Sequence, residues 1–443
     1  MKHARLIIGI ISAVVLASCS WGDLYVVDFD NPPSGDSTMF RVINRRYTDL
    51  SNGIPTDCYL PDGSLVNEWQ DNQTDDTPQR RRTSSTSGAG MLQSWLDKMN
   101  GNKVVEISGI YKSLDTEGNP ITLSGKVIVP ADGKFDRYML ISHYTIGSNK
   151  EAPSNCFPLE GLLCSMGYAL ICPDYIGYGI TVDKVHPYLV MDLTAMNVVD
   201  MYVAVKKYFD AVKLKPKYDD IYLMGYSQGG ATTMAVEYMI EDIYNEYILE
   251  EPIKIRRVFA GGGPYDVKAT YERFVTTNVA DYPVAVPLVL QGMIAGNHLD
   301  LEMSTIMQHW LCDHLDEWVN SKKYVTKEIN NLIGTKVTSN MLTETGMDVQ
   351  SKEVSELFKA MVENSIISYA WIPQAPVYIM HSMDDETVTY TNATNAKQRW
   401  ATANITYNFG HYGGHVMTCL RFILTVKTLL EIEQAEEQTR YLN

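Results

Sequence analysis

The sequence predicts an α/β fold with a mostly parallel central sheet flanked by helices, and three observations point there. First, two β-rich runs at 104–111 and 122–129 flank the turn cluster Asp115-Thr116-Glu117-Gly118-Asn119-Pro120, which reads as a leading hairpin. Second, short apolar runs recur at 138–142, 168–172, 221–224, 257–260 and 377–380. Such runs, closed by Gly or Asp turns, suit parallel strands buried on both faces. Third, helical patterns alternate with these runs. The segment 159–166 is short, 189–212 repeats Val198, Val199, Tyr202, Val205 and Phe209 along one face, 231–247 follows a Gly-rich turn, and 416–432 closes the pattern. Strand and helix in alternation argue for one α/β domain.

Residues 266–374 break the alternation. They are helix-prone, rich in Met, Leu and Val, and interrupted by Pro283, Pro287, Gly292 and Gly296. A block of that size between two sheet strands reads as a helical cap inserted before the strand at 377–380. The chain of 443 residues, 45 % hydrophobic, is long enough for a large core. Its net charge of −16 argues against a nucleic-acid partner, which would need a basic face for phosphates.

The N-terminal part reads differently. Lys2 and Arg5 precede an apolar run at 6–16, too short to span a bilayer but right for the core of a signal peptide. The run ends in Leu16-Ala17-Ser18-Cys19, which resembles a bacterial lipobox. The expectation is a signal at 1–18, lipidation of Cys19, and export to the cell envelope on a lipid tether. Residues 19–90 are expected to be a polar extension, with 71–90 too poor in apolar residues to order itself. The Arg80-Arg81-Arg82 run reads as solvated, and the ordered domain is expected over 91–443. Six further cysteines, Cys58, Cys156, Cys164, Cys172, Cys312 and Cys419, permit disulfides outside the cytoplasm. One or two bridges at most are expected.

The chemistry centres on Gly225-Tyr226-Ser227-Gln228-Gly229. This fits the Gly-x-Ser-x-Gly elbow, in which a serine sits on a tight strand-to-helix turn and needs small neighbours two positions away. The strand pattern before it and the helix pattern after it supply the required order. A serine hydroxyl needs an adjacent base to attack at neutral pH, and on such an elbow acid and base follow in the order Ser, acid, His. Asp385 lies just past the strand at 377–380, with Val388 three residues on, and is favoured over its neighbour Asp384. After the last strand at 405–409 come His411 and His415. His415 is favoured because Gly413 and Gly414 precede it and a helix follows. An oxyanion hole for acyl transfer should use the amide of Gln228 and that of Tyr144 or Thr145, in the loop after the third strand. These two remain open. His143 orders that loop or simply packs in it.

No cofactor is expected. Gly261-Gly262-Gly263 lacks the Gly-x-Gly-x-x-Gly spacing and reads as a tight turn. His309, Cys312, Asp313 and His314 lack a paired metal-ligand spacing and read as a surface helix rather than a metal site.

From about 104 to 432 the chain resembles the α/β-hydrolase superfamily, and within it secretory lipases and related esterases. The residues that carry the resemblance are His143-Tyr144-Thr145 with Gly147, Ala152-Pro153-Ser154, Gly167-Tyr168-Ala169-Leu170, Pro173-Asp174-Tyr175-Ile176-Gly177-Tyr178-Gly179, His186-Pro187-Tyr188-Leu189 and the pentapeptide around Ser227. The resemblance implies the α/β-hydrolase fold and triad roles for Ser227, Asp385 and His415. The chain departs from the family at Tyr144, where Gly is common, and at Ser382, where Gly is usual before the acid. The expected activity is hydrolysis of a small-molecule carboxylic ester through an acyl-enzyme. The rival activity on the same triad is exopeptidase chemistry, for which Glu272, Asp281 or Asp300 would have to meet a substrate amino group. A non-catalytic surface binding module is the third reading, and the intact Ser, acid and His argue against it.

Overall fold

Nine strands form a single sheet among the described residues of the computed structural model, which are 37–68 and 103–442. The expected signal peptide, Cys19, the polar stretch 71–90 and the Arg80-Arg81-Arg82 run lie outside them. In chain order the strands are β1 (Arg41–Asp49), β2 (Lys103–Leu114), β3 (Pro120–Pro130), β4 (Arg137–Ser142), β5 (Tyr168–Pro173), β6 (Asp220–Tyr226), β7 (Lys254–Gly261), β8 (Val377–Ser382) and β9 (Ile405–Gly410). Their order in the sheet is β1-β2-β3-β5-β4-β6-β7-β8-β9. β1, β2, β3 and β5 pair antiparallel. From β5 through β4 to β9 every pair is parallel. The hairpin between β2 and β3 turns where the sequence places it: the Asp115 carboxylate accepts from the amides of Glu117 (3.0 Å) and Asn119 (2.8 Å).

The strand pleat sorts the core. Tyr138 and Leu140 of β4 fall into one apolar cluster, with Leu223 of β6 and Ile379 of β8. Met139 and Ile141 fall into the other, with Met224 and Met380. Side chains alternate across a strand, so a sheet buried on both faces needs apolar residues at every position. On the first face pack α1 (Met191–Ala211), through Val198, Val199, Tyr202, Val205 and Phe209, and α2 (Gln228–Tyr238), through Ala231, Met234 and Ala235. On the second pack the 3₁₀ helix Leu159–Met166 and, through Leu420, Phe422 and Ile423, the final helix. α2 continues as π-helical turns over Met239–Ile248. Each fully buried Val, Leu, Ile, Phe or Met contributes roughly 1.5–3 kcal/mol relative to exposure.

Between β7 and β8 the chain adds no strand to the sheet. It forms α3 (Val267–Thr277), α4 (Ala285–Gly296), α5 (Thr326–Ile333) and α6 (Lys352–Glu363), joined by shorter helical turns. After β8 come α7 (Thr391–Arg399), β9 and α8 (His415–Leu442).

One expectation needs correction. The polar extension was expected to run to residue 90, yet Arg41–Asp49 is a strand hydrogen-bonded along β2, and Leu50, Ile54, Cys58, Leu60 and Val66 are buried in the second cluster. The strand was hidden because it is an edge strand whose side chains face water: Ile43 and Tyr47 are 60 % and 66 % exposed. Charge pairing helps to hold it. The Arg46 guanidinium donates to the buried Glu106 carboxylate at 2.7 and 2.8 Å and to Asp57 at 2.6 Å, while Lys126 meets Glu106 from inside at 2.7 Å. The cysteines fall at the lower end of the expectation. All six from Cys58 to Cys419 are free thiols, and all but Cys312 are buried. They fill the core as small apolar groups. Burial pushes the thiols of Cys58, Cys164, Cys172 and Cys419 well above their ordinary range.

Candidate active site

Ser227 stands at the junction of β6 and α2 with φ 58° and ψ −126°. A non-glycine residue at positive φ is strained by about 1–3 kcal/mol and persists only where its surroundings enforce it. Here they do. The Ser227 amide donates to the carbonyl of Gly261 at 2.8 Å. A Cβ on Gly229 would lie 1.9 Å from the carbonyl oxygen of Ser142, one on Gly225 2.2 Å from that of Gly229, and one on Gly230 2.4 Å from that of Gly261. All three are backbone contacts, so these glycines let β4, β7 and the turn close around the serine. The Gly261-Gly262-Gly263 run packs beneath this turn. The Gly262 amide donates to Met380 at 2.9 Å, tying it to β8.

The serine hydroxyl lies 2.7 Å from Nε2 of His415, and Nδ1 of the same ring lies 2.7 Å from Oδ2 of Asp385. The three residues are 6 %, 4 % and 7 % exposed, so the line is largely screened from water. A carboxylate can only accept, so Nδ1 carries the proton and Nε2 is free to accept from the serine. The other carboxylate oxygen, Oδ1, accepts from the amides of Thr387 (2.9 Å) and Val388 (2.8 Å). Burial pushes the Asp385 carboxyl up, but the charge and hydrogen bond of His415, with His381 and the Val388 amide, outweigh it and hold it below its ordinary value. It stays ionised.

The loops after β8 and β9 are knotted together by Ser382, the residue standing where Gly is usual. Its hydroxyl donates to the carbonyl of Gly413 (2.7 Å) and accepts from the amides of Asp384 (3.1 Å) and Tyr412 (3.2 Å). Glu386 accepts from the His415 amide at 3.1 Å, and the Tyr226 hydroxyl donates to the His415 carbonyl at 2.8 Å. The alternatives pair with one another instead: His411 and Asp384 meet at 2.8 Å, both exposed. Sequence reasoning missed His381. It is fully buried, donates from Nε2 to the Val388 carbonyl at 2.9 Å, and lies 3.8 Å from Oδ2 of Asp385. Its position in a strand, where any side chain alternates into a core, gave no signal.

On the other side of Ser227, Gln228 opens α2, where the first amides have no carbonyl of their own helix to bond. Its side chain is held by a histidine that the sequence marked only through family resemblance. His186 donates from Nδ1 to the Ile176 carbonyl at 2.8 Å and accepts at Nε2 from the Gln228 amide group at 2.8 Å. Burial, followed by the positive charge of Lys322, pushes this imidazole down to about 3, so it is neutral. The loop 143–147 carries the other expected donors. The Thr145 hydroxyl pairs with that of Tyr188 at 2.8 Å, whereas the Tyr144 side chain turns back to the N-terminal segment and donates to the Tyr59 carbonyl at 2.5 Å. His143 stacks on Tyr175 at 3.9 Å and bonds the Tyr144 carbonyl at 2.6 Å. Burial pushes it down to about 4, so it holds the loop as a neutral ring. A small cavity lined by His143, Tyr144, Tyr59, Cys156, Phe157 and Glu160 borders this loop.

The remaining candidates are placed elsewhere. Glu272 pairs with Lys268 at 2.8 Å, Asp281 pairs with Lys336 at 3.3 Å, and Asp300 is exposed. His314 stacks on Trp318 at 4.0 Å, and the Cys312 thiol faces the Met307 carbonyl at 3.6 Å.

Comparison with known proteins agrees with this architecture. The solved structure of a ligand-bound form of the rice cell wall degrading esterase LipA from Xanthomonas oryzae superposes with a TM-score of 0.66 at 18 % identity, covering 89 % of this chain and 98 % of that one. Candida antarctica lipase A gives a TM-score of 0.53 at 18 % identity, covering 71 % and 74 %. Both show the same α/β-hydrolase fold. No curated protein matches the chain. No helix among the described residues is long and apolar enough to cross a membrane. The family model described as "Secretory lipase" matches residues 156–422, a span that runs from the loop before β5 through the elbow to α8. The enzyme is therefore a hydrolase acting on esters, and the chain belongs to the secretory lipase family.

Proposed function

We propose that the protein is a serine carboxylic-ester hydrolase working through Ser227, His415 and Asp385. The observation that supports this most is the unbroken line from hydroxyl to imidazole to ionised carboxylate, with 2.7 Å at each step. In the first half-reaction the Ser227 oxygen attacks the ester carbonyl carbon and His415 Nε2 takes its proton. Asp385 holds the ring and stabilises its charged form. The carbonyl oxygen gains negative charge and is met by the amide of Gln228 and that of Tyr144 or Thr145. Collapse of this intermediate breaks the bond to the alcohol, which leaves with the proton from Nε2. Water then repeats the sequence on the acyl-serine and frees the acid.

The domain plan follows the same reading. The helical block 266–374 acts as a cap. Its stretch 322–326 packs on 147–149 directly after the oxyanion loop, with the Asn149 amide donating to the Lys322 carbonyl at 2.8 Å and Ser148 Oγ donating to the Lys323 carbonyl at 3.3 Å. Export with lipidation at Cys19 would place the enzyme on the cell envelope.

The bond class is tested with the purified protein on aryl esters of rising chain length beside aminoacyl aryl amides. The expected outcome is turnover of esters with a defined chain-length optimum and at least about a hundredfold lower kcat/KM on the amides. Amides cleaved faster than esters would reverse the assignment to exopeptidase.

A further inference from the structure

A lysine on the wall of the site is buried without an anion to balance it. Lys322 follows the π-helical turns Leu315–Asn320 and is 3 % exposed. Its ammonium makes no hydrogen bond or ion pair among the described residues. It lies over the face of the Tyr178 ring, 5.1 Å from the centroid. Leaving a cation in such a place is expensive: a buried charge ordinarily has a partner, and a tyrosine face replaces only part of lost hydration. The other buried cations among the described residues obey the rule. Lys126 meets Glu106 at 2.7 Å, and Arg137 meets Asp220 and Glu437 at 2.5 and 2.6 Å. The backbone of Lys322 is also held at φ 54°, in the left-handed region, a conformation that costs a lysine and marks places where surroundings dictate geometry.

Its neighbourhood ties the charge to the reaction centre. Tyr178 packs edge-on against His186 at 5.2 Å. His186 bonds the side chain of Gln228, the residue after Ser227. Tyr188, which bonds Thr145, packs against the same imidazole at 5.8 Å. The Lys322 carbonyl accepts from Asn149 just beyond the oxyanion loop. The cation therefore belongs to the wall formed by Tyr178, His186 and the loop 143–149, and its charge is felt at His186. Desolvation pushes the lysine down to about 8, so it remains mostly charged at neutral pH.

We propose that Lys322 is a specificity-determining residue that completes its ion pair with the substrate, and that the preferred ester carries an anionic group, such as a carboxylate, near the scissile bond. The inference rests on Ser227 chemistry for the hydrolysis itself. The unpaired cation gains its missing partner only when such a substrate is bound, in a largely water-excluded setting where a charge-assisted bond is strong.

The experiment compares two matched substrate pairs. For the acyl side, the 4-nitrophenyl hemiester of glutaric acid is paired with its methyl-capped, neutral form. For the alcohol side, 4-acetoxybenzoate is paired with its methyl ester. The readout is the charged-to-neutral ratio of kcat/KM at pH 7, which cancels general loss of folding or activity. The wild type is expected to prefer the charged member at least about tenfold in one pair, which also says which side bears the anion. Lys322→Met should bring that ratio to within about twofold of one, and Lys322→Arg should retain most of it. A wild type without charge preference in either pair, or a ratio that Lys322→Met leaves unchanged, overturns the proposal. Ser227→Ala is run alongside: loss of all four activities leaves the hydrolase reading standing whatever the ratio shows, and their survival removes that reading instead.

Discussion

Ser227→Ala is expected to lower kcat on a short aryl ester by at least about ten-thousand-fold while the protein stays folded. In the proposed triad the three residues act as a unit, so losing the proposed nucleophile costs nearly all that they supply together. What remains is the contribution of the oxyanion donors and of binding. Stability should change little. The substitution removes one hydrogen bond, from Oγ to His415 at 2.7 Å, typically worth about 1 kcal/mol. The enforced φ of 58° is borne by Ala as by Ser. Steady-state kinetics and a thermal melt on the same preparation check both halves. A variant with normal melting and undiminished turnover would place the nucleophile elsewhere.

Asp385→Asn should be nearly as damaging, by on the order of ten-thousand-fold in kcat, although it changes a single atom. Oδ2 of Asp385 fixes the His415 proton on Nδ1. An amide nitrogen at that place would donate to Nδ1 and leave the proton on Nε2, where the serine proton has to go. Asp384→Asn is the control. Its carboxylate pairs with His411 on the surface, and exposed pairs are worth at most about 1 kcal/mol, so kcat should fall less than about threefold. The order of these two effects decides between neighbouring acids. The same carboxylate carries a pH dependence. Its folded value lies below the ordinary 3.8, so the stabilisation it gives is complete above that value and is lost as pH falls through the folded one. Asp385→Asn should therefore flatten the acid limb of a urea-midpoint profile below about pH 4.

The site was legible to different depths for physical reasons. The elbow could be read because close approach of backbone allows only glycine around Ser227, so the constraint is written in residue types. Gly413 is marked for a different reason: its φ of 89° is a backbone conformation that residues with side chains rarely adopt. The acid was harder, because Asp384 and Asp385 are adjacent and only the turn decides which one points inward: the amides of Thr387 and Val388 select Asp385. Tyr144 and Thr145 stayed open because an oxyanion donor is a backbone amide and leaves no mark on the side chain. The sheet could be read wherever burial on both faces made strands continuously apolar. β1 escaped, since an exposed edge strand with Arg41, Arg45 and Arg46 looks like solvated chain until Glu106 is seen opposite. The cysteines could be given only an upper bound of bridges, because an even number of thiols carries no information about distance, and here packing, not bonding, uses them. Lys322 was invisible in the sequence. A lysine in a polar stretch reads as surface, and its burial comes from segments distant in the chain.

Labelling with an alkyl fluorophosphonate, followed by digestion and mass spectrometry, tests the arrangement at Ser227 most directly, because the reagent phosphonylates only a serine whose neighbours activate it. One adduct per chain is expected, on the peptide containing Ser227, and His415→Ala should suppress it by at least about a hundredfold. An adduct on a different residue, or equal labelling in the His415 variant, would contradict the proposed triad.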